Sequence, residues 1–495
     1  GLVLLLALAY HFVGLAVVPP GLDRDAAANG WQALKWLRTG IVPFWMPHAS
    51  APEPLIVWLQ TATTAILGPS ILALRSASAI FLALAAMVVY WLTLEVAKPF
   101  PIAQRWWAAI LAGFVFACNP VVTQLARTGL RATTLPLVSG LFFLCLLRAW
   151  STNARRDYFV SGAVLGLAAY TYLAARFLPI VVLIFVAIAL WIEYRDRHSE
   201  SLAVQRDKLC EESPSAGARL IGLVLMGIAA LIIVLPQLIF FYTYPTAFWE
   251  RAQSVSLLNN PAYSEIGLAK LLLDKVAAMA LIFGVEWSGQ YNQAARPLLL
   301  PLPFVSLLLS LPLVWRWRRQ PAMLLTIVAF LILLLPDLIG GDRVLPHELR
   351  VIGTFVPTMV LSGIGVAYGL GWIMRFGGGK VAWHVGGALL AMLITSWSIY
   401  DWFGVAAPVL AKSDYEWFAR PDVAFADAVN IHDAPLLVPL NDYSRSVIAY
   451  LTAKGIEQLG SGIDINGQVV RPSSEQVLLL WPAVPERPRV ESISY

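Results

Sequence analysis

Apolar residues along this chain come in long runs that short polar loops separate. A run of roughly 20 apolar residues is the length that an α-helix needs to cross a bilayer. The pattern therefore predicts an all-α polytopic membrane protein with about eleven transmembrane helices, the first of them a retained span and not a cleaved signal. The predicted spans are residues 1–18, 70–97, 107–119, 132–150, 158–173, 176–194, 219–243, 298–315, 321–340, 351–374 and 381–402.

Basic residues in the short loops predict the orientation. If the first span runs from inside to outside, every inside loop is basic, as the positive-inside rule requires. Those loops contain Lys98, Arg105, Arg155, Arg156, Arg195, Arg197, Arg206, Lys208, Arg316, Arg318, Arg319, Arg375 and Lys380. The rule then puts residues 20–54, 245–297, 341–350 and everything after 403 on the outside.

Three outer segments are amphipathic. Residues 25–38 carry Ala27, Trp31, Leu34 and Leu37 at helical spacing, and residues 53–67 and 265–283 have similar patterns. Such segments are typical of helices that lie in a membrane interface. We expect the first two to roof a cavity at the outer membrane surface.

The pattern changes after residue 403 to that of a water-soluble domain. PLLVPL and QVLLLWP predict short strands, and SRSVIAYLTAKG predicts a helix. We therefore expect a transmembrane domain over residues 1–402 and a small extracytoplasmic α/β or α+β module over residues 403–495.

Composition narrows the function classes. Of the 495 residues 59% are hydrophobic and only 13% charged, whereas roughly a quarter of the residues of a soluble domain are charged. The net charge is +5, but Lys and Arg are dispersed along the loops and form no continuous basic face, which argues against nucleic-acid binding. Three cysteines are too few and too scattered for a disulfide framework.

Charged residues at the outer helix ends are the candidates for chemistry, because a charge at a membrane boundary is costly unless water, a partner or a substrate compensates it. They are Asp23, Arg24 and Asp25; Glu53; Arg127 and Arg131; Arg176, after Tyr170, Thr171 and Tyr172; and Asp342, Arg343, His347, Glu348 and Arg350. Together they place several arginines on the side that the topology rule disfavours for arginine.

Each candidate has a simpler interpretation. Asp25 is a plausible N-terminal cap of the first interfacial helix. A single arginine at a boundary often only reaches the lipid headgroups. His347 alone is more often a hydrogen-bonded loop residue than a ligand. Asp23 and Asp25 form a D-x-D string, which is a weak metal signal.

Six fragments in order resemble one family. They are PGLDRDAAANG followed by IVPF, then PEPLIVWL, LGPSILALRSASAIF, ARTGLRATTLPL and LAAYTYLAARFLP. This series resembles the bacterial GT-C glycosyltransferases that use polyprenyl-phosphate sugars, the group that contains protein mannosyltransferases and aminoarabinose transferases. The likeness covers residues 1–190 well, continues more loosely to about residue 375, and fades in the C-terminal module.

The resemblance implies roles for particular residues. Asp25 matches the family's catalytic Asp, whereas Ala26 replaces the Glu that follows it, and Asp23 or Glu53 is a possible acidic substitute. The resemblance also implies that basic residues near the ends of outer helices hold the lipid phosphate. Arg127, Arg131, Arg176 and Arg350 occupy matching places, with Arg343 and His347 as further possibilities. It implies a protein of the bacterial plasma membrane.

The chemistry fits these residue types. When a polyprenyl phosphate leaves the anomeric carbon, negative charge builds on the phosphate, and guanidinium groups stabilise it without a metal. A carboxylate within hydrogen-bond reach accepts the proton of the attacking hydroxyl. We therefore expect an inverting displacement that requires no cofactor and has no supported metal.

Two alternatives stay open. Ala26 is compatible with a catalytically degenerate subunit of a larger membrane complex. The Gly- and Pro-containing spans are compatible with a transporter, although few charges lie in mid-span and no repeated halves are evident. The sugar and the acceptor, whether lipid, glycan or protein, stay undetermined.

Overall fold

The computed structural model describes residues 1–44, 53–203, 216–254, 256, 267–287, 291–340, 346–375, 380–412, 418–432, 436–437, 442–453, 476–481 and 489–494. These parts are predominantly helical. The first helices are α1 Leu2–Phe12, α2 Arg24–Thr39, α3 Leu55–Leu67, α4 Ile71–Val96, α5 Ile102–Ala117, α6 Pro120–Leu125, α7 Leu135–Thr152, α8 Arg155–Ala168, α9 Leu178–Ala203, α10 Ala216–Thr243 and α11 Pro245–Ser254. They are followed by α12 Leu268–Leu281, α13 Pro301–Trp317, α14 Pro321–Ile332, α15 Leu335–Leu338, α16 Glu348–Val351, α17 Phe355–Met374, α18 Lys380–Ile399, α19 Ala407–Ala411, α20 Arg420–His432 and α21 Asp442–Thr452.

Seven helical stretches among the described residues are long and apolar enough to cross a membrane. They are Ile71–Val96, Arg131–Thr152, Leu173–Asp196, Gly217–Thr243, Pro321–Leu338, Glu348–Met374 and Val381–Ala411, and each coincides with a predicted span. The chain is therefore a multi-pass membrane protein. The other four predicted spans fall on the shorter helices α1, α5, α8 and α13. The 11 residues of α1 rise only about 16 Å, so a total of eleven full spans stays a prediction.

The bundle is built around α17. In Glu348–Met374, 94% of the most apolar window is buried inside the protein, against 22% in Gly217–Thr243. Small residues allow close packing at the centre: Gly363 of α17 lies against Ala112 of α5, and Gly140 of α7 against Val88 of α4. This is the usual way in which membrane helices approach one another, because dispersion contacts replace the hydrophobic effect there.

The three segments predicted to be amphipathic form helices α2, α3 and α12, and their place in the outer membrane interface stays a prediction. The side chain of Asp23 caps α2 by accepting a hydrogen bond from the backbone N of Ala26 at 3.0 Å, and Gly40 ends the helix with φ 67°. One face of α2 packs on α3 and α4, and α2 also contacts α21. That contact joins the C-terminal part of the chain to the helix that carries Asp25.

The last span continues past its predicted end at residue 402. A π-helical turn, Tyr400–Ala406, leads directly into α19, which ends at Ala411. Farther on, strand β1 Leu436–Leu437 pairs parallel with β2 Gln476–Trp481, and β2 pairs antiparallel with β3 Arg489–Ser494. The separate extracytoplasmic module over residues 403–495 stays a prediction.

Candidate functional site

Asp23 and Asp25 have different environments at the start of α2. Asp23 is 2% exposed and is the N-cap, so the capping role that the sequence offered for Asp25 belongs to Asp23. Burial and the neighbouring Asp25 carboxylate raise the pKa of Asp23 to about 8. Asp25 lies in the first helical turn and is half-buried. It is therefore the better placed of the two for a substrate.

Arg75 is a further charged residue of this region, which the sequence analysis did not single out. It lies on α4, is 1% exposed, and donates hydrogen bonds to the carbonyl oxygens of Leu15 at 3.0 Å, Pro19 at 2.9 Å and Gly21 at 2.7 Å. It also interacts electrostatically with Asp23. The sequence signal that could have identified Arg75 is its position inside the apolar fragment LGPSILALRSASAIF, since a charge within an apolar segment needs a compensating partner.

Arg127 resembles Arg75 in its contacts. It is 1% exposed, and its Nη2 and Nη1 atoms donate to the carbonyl oxygens of Val13 at 2.6 Å and Thr123 at 3.2 Å. Its guanidinium lies 4.7 Å from the ring centroid of Trp402. Burial lowers the pKa of Arg127 to about 10, so it stays charged at neutral pH. The two buried arginines thus bind main-chain carbonyls of the segment that leads from α1 to α2.

Arg131, Arg176 and Glu53 form a second charged group. Nε of Arg131 lies 3.8 Å from Oε2 of Glu53, and Glu53 is 4% exposed. Arg176 also interacts electrostatically with Glu53, donates to the carbonyl oxygen of Phe248 at 2.9 Å and lies 4.2 Å from the Phe248 ring centroid. One carboxylate therefore interacts with two guanidinium groups from distant parts of the chain.

Gly129 lies between Arg127 and Arg131 and contacts the start of α2. It has φ +75°, and a Cβ placed there would lie 3.1 Å from the Cβ of Ala26. Nε2 of Gln60, on α3, donates to the Gly129 carbonyl oxygen at 2.8 Å. The turn between Arg127 and Arg131 therefore packs directly on the residue that follows Asp25, and Ala26 itself is fully buried.

The helix that carries Arg350 lies close to the turns that carry Arg131 and Arg176. Helix α16, which carries it, contacts the turn Arg131–Thr134, and α15 contacts the turn Leu173–Phe177 that carries Arg176. Arg350 is 8% exposed and its guanidinium packs against Gly340. The four predicted arginines thus come from neighbouring turns, although they differ in exposure.

His347 is a hydrogen-bonded loop residue. Its Nδ1 accepts from the backbone N of Leu349 at 3.3 Å and lies 3.8 Å from Oε2 of Glu348. Its own backbone N donates to Asp337 at 2.9 Å. Arg343 lies outside the described residues. In the part of the chain that the structure describes, no group of three or more His, Cys, Asp or Glu is arranged to hold a metal ion.

Known proteins resemble this chain in sequence and fold. Residues 48–203 match the family described as dolichyl-phosphate-mannose-protein mannosyltransferase. The structure of ArnT from Cupriavidus metallidurans bound to undecaprenyl phosphate superposes with a TM-score of 0.54 at 13% identity, over 91% of this chain and 84% of ArnT. The apo structure of the same ArnT also gives a TM-score of 0.54, at 14% identity over 91% and 84% of the two chains.

A more distant likeness is to the archaeal oligosaccharyltransferase AglB from Archaeoglobus fulgidus, in complex with an inhibitory peptide and a dolichol-phosphate. Its TM-score is 0.50 at 15% identity, over 96% of this chain but only 61% of AglB. No protein of curated function matches the sequence. These findings confirm the resemblance inferred from the sequence, and the chain has a GT-C-like fold.

Proposed function

We propose that this protein transfers a sugar from a polyprenyl-phosphate donor to an acceptor hydroxyl at the outer face of the bacterial plasma membrane, with inversion at the anomeric carbon. One observation carries the proposal. A half-buried aspartate, Asp25, lies in the first turn of α2. The next residue, Ala26, packs on the Arg127–Arg131 turn, and that turn supplies Arg131 to a group of two arginines around the Glu53 carboxylate.

Asp25 is the proposed general base. Its carboxylate is half-buried and does not cap the helix, because Asp23 does. A carboxylate in hydrogen-bond reach of the acceptor hydroxyl takes its proton as the oxygen attacks. Asp23 suits a structural role, because it caps the helix and is almost fully enclosed, and burial raises its pKa above the usual range.

Arg131 and Arg176 are the proposed contacts of the leaving phosphate. Guanidinium groups bind phosphate oxygens bidentately and stabilise the charge that develops as the bond to the sugar breaks. Glu53 holds the two like charges together when no anion is bound, since its carboxylate interacts with both. Arg350, on a helix that contacts the Arg131 turn, is a further contact.

Arg127 has a different role in this proposal. Its terminal nitrogens already bind the carbonyl oxygens of Val13 and Thr123, and its side chain is almost completely enclosed. We therefore assign it to positioning the segment between α1 and α2, together with Arg75. This changes the sequence-based assignment of Arg127 to phosphate binding.

The donor class is supported by the related folds. ArnT was solved with undecaprenyl phosphate and AglB with a dolichol-phosphate. In this proposal the apolar helices around Arg131, Arg176 and Glu53 provide a surface for the lipid tail. The turns that carry Arg131 and Arg176 provide the binding surface for its phosphate. No sugar or acceptor is assigned, and the reaction requires no metal or cofactor in this proposal.

The test uses the Asp25→Asn variant in proteoliposomes with native membrane extract as the acceptor source. The assay measures release of polyprenyl phosphate from a polyprenyl-phosphate sugar. We expect the rate to fall ~10²- to 10⁴-fold, because the amide accepts no proton. Asp427→Asn, at an exposed position of α20, is the matched control and should keep the wild-type rate.

The second candidate is a catalytically degenerate subunit of a larger membrane complex. Ala26 favours it, because the family's second acid is absent and the position is fully buried. An inactive wild-type protein that co-purifies with other membrane proteins would support this candidate. Wild-type activity that Asp25→Asn leaves unchanged would instead remove Asp25 from the mechanism.

A further inference from the structure

An apolar groove lies between α9, α13 and α14, at the end of the bundle away from the turns that carry Arg131 and Arg176. Its volume is about 530 Å³, within the range of roughly 300 to 1,000 Å³ that small-molecule sites occupy. The apolar lining includes Ile188, Ile192, Leu311, Val314, Leu324 and Ile327. Arg195, Arg318 and Arg319 line the same groove together with Trp191 and Trp315.

Two helices fix the position of this groove relative to the candidate site. Helix α9 begins after the turn that carries Arg176 and reaches Arg195 about 27 Å farther along its axis. Helix α14 runs from the groove toward α15, which contacts that same turn. Since the hydrocarbon core is about 30 Å thick, the groove arginines lie at the opposite membrane boundary.

The groove arginines are held at an aromatic rim. Arg318 lies 3.9 Å from the ring centroid of Trp315 and donates to its carbonyl oxygen, and Arg195 lies 5.7 Å from the Trp191 ring centroid. Within the described ranges, the ion pairs involve other residues and none joins an acid to Arg195, Arg318 or Arg319. Three guanidinium groups therefore border the apolar groove, and no carboxylate of the described residues forms an ion pair with them.

We propose that this groove binds one anionic glycerophospholipid of the adjacent leaflet. The lipid phosphate contacts the guanidinium groups of Arg318, Arg319 and Arg195, and one acyl chain lies along the apolar lining. Basic pockets between transmembrane helices at the cytoplasmic boundary suit anionic headgroups, because guanidinium groups bind phosphate oxygens by charge-assisted hydrogen bonds. Trp191 and Trp315 mark the interfacial depth at which such a headgroup lies. The proposal does not depend on the proposed transferase activity.

Native mass spectrometry of the full chain provides the test. The protein is exchanged into detergent with equal amounts of dioleoyl phosphatidylglycerol and dioleoyl phosphatidylcholine, and the retained lipid is measured. We expect phosphatidylglycerol to be retained preferentially, and the Arg318→Ala/Arg319→Ala variant to lose that preference by roughly fivefold for each guanidinium removed. Arg316→Ala is the matched control, because Arg316 is exposed in the last turn of α13, just before Arg318 and Arg319, but does not line the groove.

A second pair of variants tests the apolar part. Leu311→Trp fills the groove from an exposed position and should reduce retention of both lipids, whereas Leu309→Trp, on the same helix but outside the lining, should not. A photoreactive acyl chain on phosphatidylglycerol should label residues 188–195 or 311–327.

The proposal is overturned by equal retention of the two lipids, by an equal loss in Arg316→Ala, or by labelling confined to other helices. Preferential retention of undecaprenyl phosphate over phosphatidylglycerol at this groove would also overturn it. An unchanged unfolding temperature in each variant establishes that lost retention does not reflect lost folding.

Discussion

The hydroxyl groups of Tyr450 and Thr64 lie 3.1 Å apart, although 386 residues separate them in the sequence. The Tyr450 hydroxyl also lies 3.2 Å from both the backbone N and the carbonyl oxygen of Ser70. Tyr450 is fully buried on α21, where its ring approaches Gly30 of α2. A single side chain of the C-terminal part thus connects α3, the start of α4 and the helix that carries Asp25.

We predict that Tyr450→Phe destabilises this contact without removing its apolar part. The ring stays, but the buried Thr64 hydroxyl and the Ser70 backbone lose a partner, which costs ~1 to 3 kcal/mol. The midpoint of thermal unfolding in detergent should fall. Tyr242→Phe, at a position that is 89% exposed, serves as the control, and an equal midpoint for both variants would mean that the Tyr450 hydroxyl does not stabilise the contact of α21 with α3 and α4.

We predict that Arg176→Lys weakens donor binding more than it weakens folding. Lysine keeps the charge but lacks the planar fork that stacks on Phe248 and binds phosphate bidentately. Loss of a charge-assisted hydrogen bond corresponds to about a tenfold rise in the KM for the polyprenyl-phosphate sugar. Arg156→Lys, at an exposed position, should leave KM unchanged. A normal KM for Arg176→Lys would remove Arg176 from the donor site.

We predict that Ala26→Glu, which restores the family's acidic pair in sequence, does not increase the rate. Position 26 is 0% exposed, and the Ala26 side chain packs against the Arg127–Arg131 turn at Gly129. A glutamate side chain at this buried position has to be enclosed, and an enclosed carboxylate costs several kcal/mol of folding free energy unless it is neutralised. A lower unfolding midpoint with no gain in the release of polyprenyl phosphate is the expected result. Increased turnover would show that this position reaches the substrate.

We predict a pH-dependent effect of Asp23→Asn on stability. The pKa of Asp23 is about 8 in the folded protein and 3.8 as a reference value. The folded state therefore favours the protonated form, and this stabilisation is complete below the reference pKa and is lost as the pH rises through 8. Asparagine caps the helix but does not titrate. The unfolding midpoint of the variant relative to wild type should thus be higher at about pH 9 than at about pH 6. An identical difference at both pH values would contradict the burial of an ionisable Asp23.

The transmembrane pattern could be predicted from the sequence because it depends on local composition. The backbone N–H and C=O groups of an apolar run such as residues 70–97 need hydrogen-bond partners within the run when it lies in lipid, and a helix provides them wherever the run lies in the bundle. The helix observed there is Ile71–Val96. Helix α2 was predicted for a similar reason, since its polar and apolar positions alternate with a helical period. The fragments that resemble the GT-C glycosyltransferases also lie in contiguous stretches.

The roles of individual charges could not be predicted in this way, because each depends on a partner far away in the chain. Arg127 and Arg131 are four positions apart in one fragment, yet Arg127 binds the carbonyl oxygen of Val13 and Arg131 approaches Glu53. Asp23 and Asp25 are equally acidic in sequence, but only burial distinguishes the cap from the candidate base. The sequence by itself determined which segments are long and apolar enough to cross a membrane and which charges lie at their ends. Only the tertiary structure decided which of those charges bind main-chain carbonyls and which are grouped around Glu53, since burial and pairing arise from packing between distant segments.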